Sequence, residues 1–396
     1  MERRKFLKQN VLASSLFFVP SFVKAFENAI KGSLGFKKLV IVQLSGGNDG
    51  LNTIIPYTND IYYKSRPNLA IAKNDCIKIT DELGINKNLA PLKHLYDKGY
   101  LSVINNVGYP NPIRSHFRST DIWHTASDSN QYLNTGWLGR YIDIYGKKPY
   151  SGIELDDSLS LIMKGDVIKG IATKNPTILF NNTKTPYFKK VLDSQSDVHL
   201  SEHNLGYLYK TMIEAKSSAK YIFETSKTYN STVTYPNNPF GKQLKTTAQF
   251  INSRVESKVF YVSMGGFDTH VKQEKKQNKL LQTYSEAMDV FVKDLEQKDT
   301  FKDTLILTFS EFGRRVQQNA ASGTDHGAAN NVFIIGKNLK KQGFYNEAPN
   351  LINLDKNGDI KYTVDFRSIY ATILDKWLEV DDATILNKSY SKLGFI

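Results

Sequence analysis

The chain has 396 residues, of which 40% are hydrophobic, 12% aromatic and 23% charged, long enough to bury a full core as one large domain or two smaller ones. Its formal charge is +13, and five cations with one anion in residues 1–25 leave +9 on the rest; the lysines are scattered among acids without a dense basic block, which favours anionic partners in general and points away from nucleic acid. The single cysteine, Cys76, excludes an internal disulfide and any thiolate-rich zinc, iron–sulfur or haem motif, so a metal would rest on Asp, Glu, His and hydroxyl groups.

In chain order, residues 1–25 read as an export signal. Arg3-Arg4-Lys5-Phe6-Leu7-Lys8 is the charged start, Val11 to Val19 the apolar stretch, and Val23-Lys24-Ala25 the small-residue end. The paired arginines favour the twin-arginine route over an ordinary secretory one, and the apolar stretch is too short to span a bilayer. The expected destination is the periplasm or the cell exterior.

Residues 26–396 read as one α/β domain. Lys38 to Leu44 is a buried-type strand closed by Ser45-Gly46-Gly47, because a continuous apolar β-branched run suits a strand covered on both faces. Pro91 to Lys98 is a short helix with Gly99 as its stop. Leu101 to Val107 is the next strand, broken at Gly108 to Pro112, and a helix begins near Arg114-Ser115-His116. About residues 145–240 the pattern is irregular, apart from a polar helix around Leu205 to Glu224, and this stretch reads as an insertion or cap. Regularity returns with a helix at Gly241 to Val255, a strand at Lys258 to Ser263, and a long helix at Gln273 to Glu296 whose apolar residues follow helical spacing. Strands at Thr304 to Phe309 and Asn331 to Gly336 and an amphipathic helix at Phe366 to Leu378 complete the chain. Strands alternating with helices imply a mainly parallel sheet flanked by helices on both faces.

Such sheets bind ligands outside the carboxyl ends of their strands. Asp49, Asp268, His270 and Glu311 each follow a strand by a few residues, and Ser115 lies beyond another. Asp325 and His326 precede their strand and would have to fold back over that edge. Carboxylates and imidazoles beside glycines, in a chain with seven histidines, are the ligand types of borderline and hard divalent cations. Asp325 beside His326 could orient that imidazole, Glu311 could pair with Arg314 three residues on, and Asp49 could instead cap a turn.

The segments Gln43 to Thr53, Arg114-Ser115-His116-Phe117, Gly265 to His270, Ser310-Glu311-Phe312-Gly313-Arg314 and Asp325-His326-Gly327, with the leader, resemble the exported family called domain of unknown function 1501. That family is similar to the alkaline phosphatase and sulfatase superfamily, and the resemblance implies an alkaline-phosphatase-like fold with divalent metal at the sheet edge. It implies metal ligands Asp49, Asp268, His270 and His326, with Glu311 as the acid of a second metal or as a base. It implies Ser115 as nucleophile; Arg314, with Arg114 and Arg315, could clamp an anionic group bidentately and stabilise its charge. Zinc is the first expectation, with manganese, magnesium and calcium open; the substrate would be an anionic small-molecule, glycan or lipid ester, phosphate or sulfate. Phe312 stands where the superfamily has a histidine, which leaves the second metal open unless His116 substitutes. Ser115 is followed by His116-Phe117-Arg118, which disfavours a formylglycine mechanism. The alternative is a non-catalytic binding protein that keeps the fold and one metal.

Overall fold

Five long buried runs become the centre of the sheet. The computed structural model describes residues 36–193 and 203–396, so the export-signal reading of residues 1–25 lies outside the described residues. The strands are β1 (Lys38–Leu44), β2 (Ile54–Ile55), β3 (Cys76–Lys78), β4 (Gly84–Asn86), β5 (Leu101–Gly108), β6 (Gly152–Glu154), β7 (Ile171–Ala172), β8 (Val259–Met264), β9 (Thr304–Phe309), β10 (Asn330–Ile335), β11 (Gly343–Phe344) and β12 (Val364–Asp365). Nine form one sheet in the order β11-β5-β10-β9-β1-β8-β6-β7, with β12 also paired to β5. Every pairing in it is parallel except those of β10, which runs antiparallel to both β5 and β9. The remaining three make a small antiparallel sheet, β2-β4-β3.

The helices are α1 (Asp60–Ser65), α2 (Ala90–Asp97), α3 (His116–Thr125), α4 (Trp137–Tyr145), α5 (Pro176–Asn182), α6 (Pro186–Asp193), α7 (His203–Ser226), α8 (Pro239–Asn252), α9 (Gln273–Gln297), α10 (Phe366–Thr372) and α11 (Asp382–Leu386). Alternation along β1 divides the core. Val40, Val42 and Leu44 pack with α2, α8 and α9, whereas Leu39 and Ile41 pack with α3, α4, α10 and α11. Both faces are therefore covered, which is why the central strands are apolar throughout rather than alternating. After Thr372 the closing helix widens into a π-helical turn over Ile373–Trp377. The irregular middle supplies β6 and β7 to the sheet edge beyond β8, and among the described residues no helix is long and apolar enough to cross a membrane.

The antiparallel β10 changes how one motif reaches the edge. Because β10 runs against its neighbours, the residues before it already lie where β5, β8 and β9 end, so Asp325 and His326 arrive there without folding back. Helix α3 is fixed beside them by Trp123, stacked on Phe309 at 4.6 Å and on Phe366 at 4.3 Å, with its indole N–H donated to the Glu311 carbonyl at 2.9 Å. Aromatic stacking of that kind adds to simple burial, and it sets the helix that begins with His116.

Candidate metal centre

The loop after β1 is tied to both of the other strand-end loops. Gly46 and Gly47 take positive φ values of 117° and 72°, open to glycine and disfavoured for other residues. A methyl group at Gly46 would run into the Asp268 amide nitrogen, and one at Gly47 into the Phe312 ring. The Gly46 N–H donates to Glu311 Oε1 at 2.8 Å, and the Asn48 N–H to Ser310 Oγ at 2.9 Å. Buried Arg314 completes the junction: its guanidinium donates to the carbonyls of Gly46, Gly47, Phe267 and Thr324 and, at 2.7 Å, to Asp268 Oδ1. Residues 313–315 and 325–328 pair backbone to backbone, through Gly313 N–H to the Ala328 carbonyl at 2.9 Å and Gly327 N–H to the Gly313 carbonyl at 2.8 Å.

On this frame three imidazoles meet one carboxylate oxygen. Asp268 Oδ1 lies 2.9 Å from His270 Nε2, 3.3 Å from His326 Nε2 and 3.4 Å from His116 Nε2. The Nε2 atoms of His270 and His326 are 2.9 Å apart. Among the described residues, His116, Asp268 and His326 form a set whose ligand atoms all lie within 4.8 Å of one another, and His270 adjoins it through Asp268 and His326.

Each imidazole is held from behind by an acceptor. His116 Nδ1 faces Glu311 Oε1 at 2.8 Å, His270 Nδ1 faces Asp325 Oδ1 at 3.1 Å, and His326 Nδ1 faces the Arg114 carbonyl at 2.8 Å. An acceptor at Nδ1 requires the proton there, which leaves Nε2 with its lone pair in the neutral ring. Three lone pairs are thus aimed at a carboxylate oxygen, an arrangement that needs positive charge at its centre. His116 Nε2 is moreover buried without a hydrogen-bond partner, a state that normally calls for an explanation. A divalent cation fits this donor set, since neutral Nε2 nitrogens and carboxylates, with the other ring nitrogen fixed by an acceptor, are how such ions are held.

The electrostatics agree. Burial opposes charge on Asp268, but the Arg314 hydrogen bond and charge, with His326 and His270, hold its carboxyl well below the usual carboxylate range. His116 is raised above the ordinary imidazole value, chiefly by its hydrogen bond with Glu311 and against burial. His326 is lowered, first by burial.

Other expected residues sit around this cluster in different ways. Asp49 faces away from it: its buried Oδ2 accepts from Arg66 at 2.6 Å and from the Gln273 amide, while Oδ1 caps the Leu51 and Asn52 N–H groups at 3.2 and 3.4 Å. Glu311 lies behind His116 and pairs with it rather than with Arg314. Arg314 is spent on carbonyls and Asp268, so its charge reaches the cluster through that carboxylate. Ser115 is exposed, starts α3 without a side-chain capping bond, and stands between Arg114, whose carbonyl holds His326, and His116. Asp325 orients His270 rather than its neighbour His326. Phe312 packs its ring against both His116 and His326, centroids 4.8 and 4.7 Å apart. The sequence had singled out His116 only as a substitute; its signal was a helix start in the loop after β5, eight residues past that strand, as Asp268 lies in the loop after β8, four residues past its end.

Fold and site together define an α/β protein with a mainly parallel, doubly covered sheet and a polar centre at the carboxyl edge of its strands. The chain belongs to the family described as protein of unknown function (DUF1501), whose model matches residues 100–388. No curated protein matches it. Among solved structures it is similar to the PsFucS1 sulfatase from Pseudoalteromonas sp., at 10% identity over 93% of this chain and 74% of the other, with a TM-score of 0.39. It is also similar to a protein in the alkaline phosphatase superfamily from Vibrio parahaemolyticus (10% identity, 92% and 78% covered, TM-score 0.38). A third is the lipoteichoic acid synthase LtaP from Listeria monocytogenes (8% identity, 79% and 69% covered, TM-score 0.37).

Proposed function

We propose that this chain is an exported, metal-dependent hydrolase or transferase of anionic esters, phosphate or sulfate, of the alkaline-phosphatase-like type. The observation that carries the reading is the convergence of three Nε2 atoms on Asp268 Oδ1, each imidazole braced through Nδ1. Asp268, His116, His270 and His326 would hold the ion, zinc first among the candidates, and a bound divalent cation supplies Lewis-acid polarisation and neutralises charge on the transferred group. Ser115 Oγ, unclaimed by a cap and beside His116, is the nucleophile this chain offers. As its oxygen bonds to phosphorus or sulfur its proton passes to water, the ester bond breaks, and the departing oxygen takes a proton from water to become an alcohol; a second water then hydrolyses the seryl ester, releasing the anion and restoring the Ser115 hydroxyl. A helix N-terminus favours anions, so the start of α3 at Ser115 would suit the charge that develops.

A second reading, a binding protein that keeps one ion without turnover, is supported by Phe312, which fills the place where the family resemblance puts a second ligand. Elemental analysis and an ester panel with and without chelator separate the two. Asp268→Asn and His326→Ala should each lose the metal and, with it, hydrolysis of aryl phosphates or sulfates. Wild-type metal content in both variants would remove the proposal at its root, whereas full metal content with no turned-over ester would leave the binding reading.

A further inference from the structure

Gln277, on α9, leaves one polar atom unanswered. Its side chain is buried, and its Nε2 donates into the loop after β1, to Asn48 Oδ1 at 3.0 Å, the Asp49 carbonyl at 3.3 Å and Thr53 Oγ1 at 3.4 Å. A backbone carbonyl can only accept, which fixes the orientation of this amide. Oε1, on its other side, is buried with no hydrogen-bond partner, a state that calls for a donor the fold itself does not supply. Gln277 also lines a cavity of about 190 Å³ between the first turns of α9 and the loop after α1. None of the residues lining it belongs to the imidazole cluster. Its other groups divide by what they can offer. Asn86 Nδ2 is committed to the Asn52 carbonyl at 2.9 Å and to Asn278 Oδ1 at 3.1 Å, which leaves Asn278 its amide hydrogens to donate. Glu274, exposed and one turn before Asn278, brings a carboxylate that accepts. Leu69 and Ile71 give an apolar wall, and Asp75 and Lys87 stand at the rim 3.9 Å apart.

We propose that this cavity is a carbohydrate site that takes one neutral sugar ring. The occupant must donate to Gln277 Oε1 and Glu274 and accept from Asn278; a hydroxyl does both, whereas an ammonium only donates. Carboxylates at both Asp75 and Glu274 disfavour an anionic ring, and the C–H face of a pyranose suits the wall of Leu69 and Ile71. A cavity of about 150 Å³ admits a benzene ring, so this one has room for a single six-membered ring, with its remaining substituents at the rim. The site does not rest on the hydrolase reading: a sugar is held here whether or not the imidazole cluster turns over an ester.

Saturation-transfer NMR on the full chain tests it, with the methyl glycosides of glucose, galactose, mannose and N-acetylglucosamine as probes and ethanolamine as the ammonium control. At least one glycoside should bind to wild type and ethanolamine should not. Asn278→Ala, which removes one neutral hydrogen bond, should weaken that glycoside about fivefold, and Glu274→Ala, which removes a charged acceptor, about tenfold. Both substitutions lie on the solvent side of α9 and spare the fold. Gln277→Leu, which removes the unpaired acceptor together with the Nε2 bonds, should abolish binding, and the two milder variants decide the matter if it does not fold. Asp268→Asn, which disables the imidazole cluster, should bind the glycoside as wild type does. Failure of all four glycosides to bind overturns the proposal, and so does affinity unchanged in Asn278→Ala and Glu274→Ala. Preference for ethanolamine overturns the sugar assignment, and loss of glycoside binding in Asp268→Asn would move the sugar to the cluster and overturn the separate site.

Discussion

At the scale of single residues, the site divides carboxylates by their partners. Asp49 is buried against Arg66, with side chains 1% and 0% exposed, and removing one member of such a pair strands the other without compensation, at a cost of about 3–5 kcal/mol. Asp49→Asn is therefore expected to lower Tm by a similar amount with chelator and without it, while the protein that remains folded keeps its metal. Loss of metal with unchanged metal-free stability would make Asp49 a ligand after all. Glu311 acts on the centre through His116 and on the Gly46 loop through its amide, so Glu311→Gln should leave the fold standing and weaken metal affinity by about 10–100-fold, the usual scale for a residue that braces a ligand. Equilibrium dialysis against graded zinc buffers reads that change; affinity equal to wild type would detach Glu311 from the centre. Asp268 and His270 stood out in the sequence because they follow Gly265-Gly266 at a strand end, and His326 because it adjoins Gly327. The pairing of Asp325 with His270, and of Glu311 with His116, did not, because these partners lie 55 and 195 residues apart and local spacing carries no trace of contacts made across a sheet edge.

Among the elements, the long strands were legible and the short ones were not. β1, β5, β8, β9 and β10 each bury at least four residues in succession, an apolar run that the sequence displays. β2, β6, β7, β11 and β12 have two or three residues, too few for any period, and exist because a neighbouring strand offers its edge. The direction of β10 was likewise hidden, since an apolar run reads the same in either sense. β6 carries an element-level consequence of its own. It ends in Glu154, 1% exposed, whose carboxyl burial pushes up from 4.5 to about 7, against hydrogen bonds from the Ser160 hydroxyl and N–H. Between those two values the folded chain holds a proton that the unfolded chain has released, so this group's contribution to stability falls as pH rises through the window and is fully lost above about 7. The whole effect amounts to about 3 kcal/mol. Chemical denaturation of wild type and Glu154→Gln from pH 4.5 to 7.5 should show the variant gaining on wild type by that order as pH rises; parallel curves would mean that Glu154 is charged in the fold throughout.

For the molecule as a whole, the centre joins segments that nothing else in the sequence links. His116 follows β5, Asp268 and His270 follow β8, and His326 precedes β10, so the four potential ligands span more than half of the chain. In the unfolded chain His116, the Asp268–His270 pair and His326 are far apart and no ready-made site exists, which makes any binding free energy of the ion a contribution to folding stability. The contribution grows with free ion as a logarithm, reaching about 2.7 kcal/mol at a hundred times the dissociation constant. Tm should therefore climb with added zinc along a shallow logarithmic course, return to its starting value with chelator, and stay fixed in Asp268→Asn. The rise should survive in Asp49→Asn, displaced downward as a whole, because that variant weakens the frame without touching the imidazoles. A Tm indifferent to zinc, manganese, magnesium and calcium in wild type would mean that the three Nε2 atoms meet around Asp268 for a proton rather than an ion, held together by Arg314 and the loops alone.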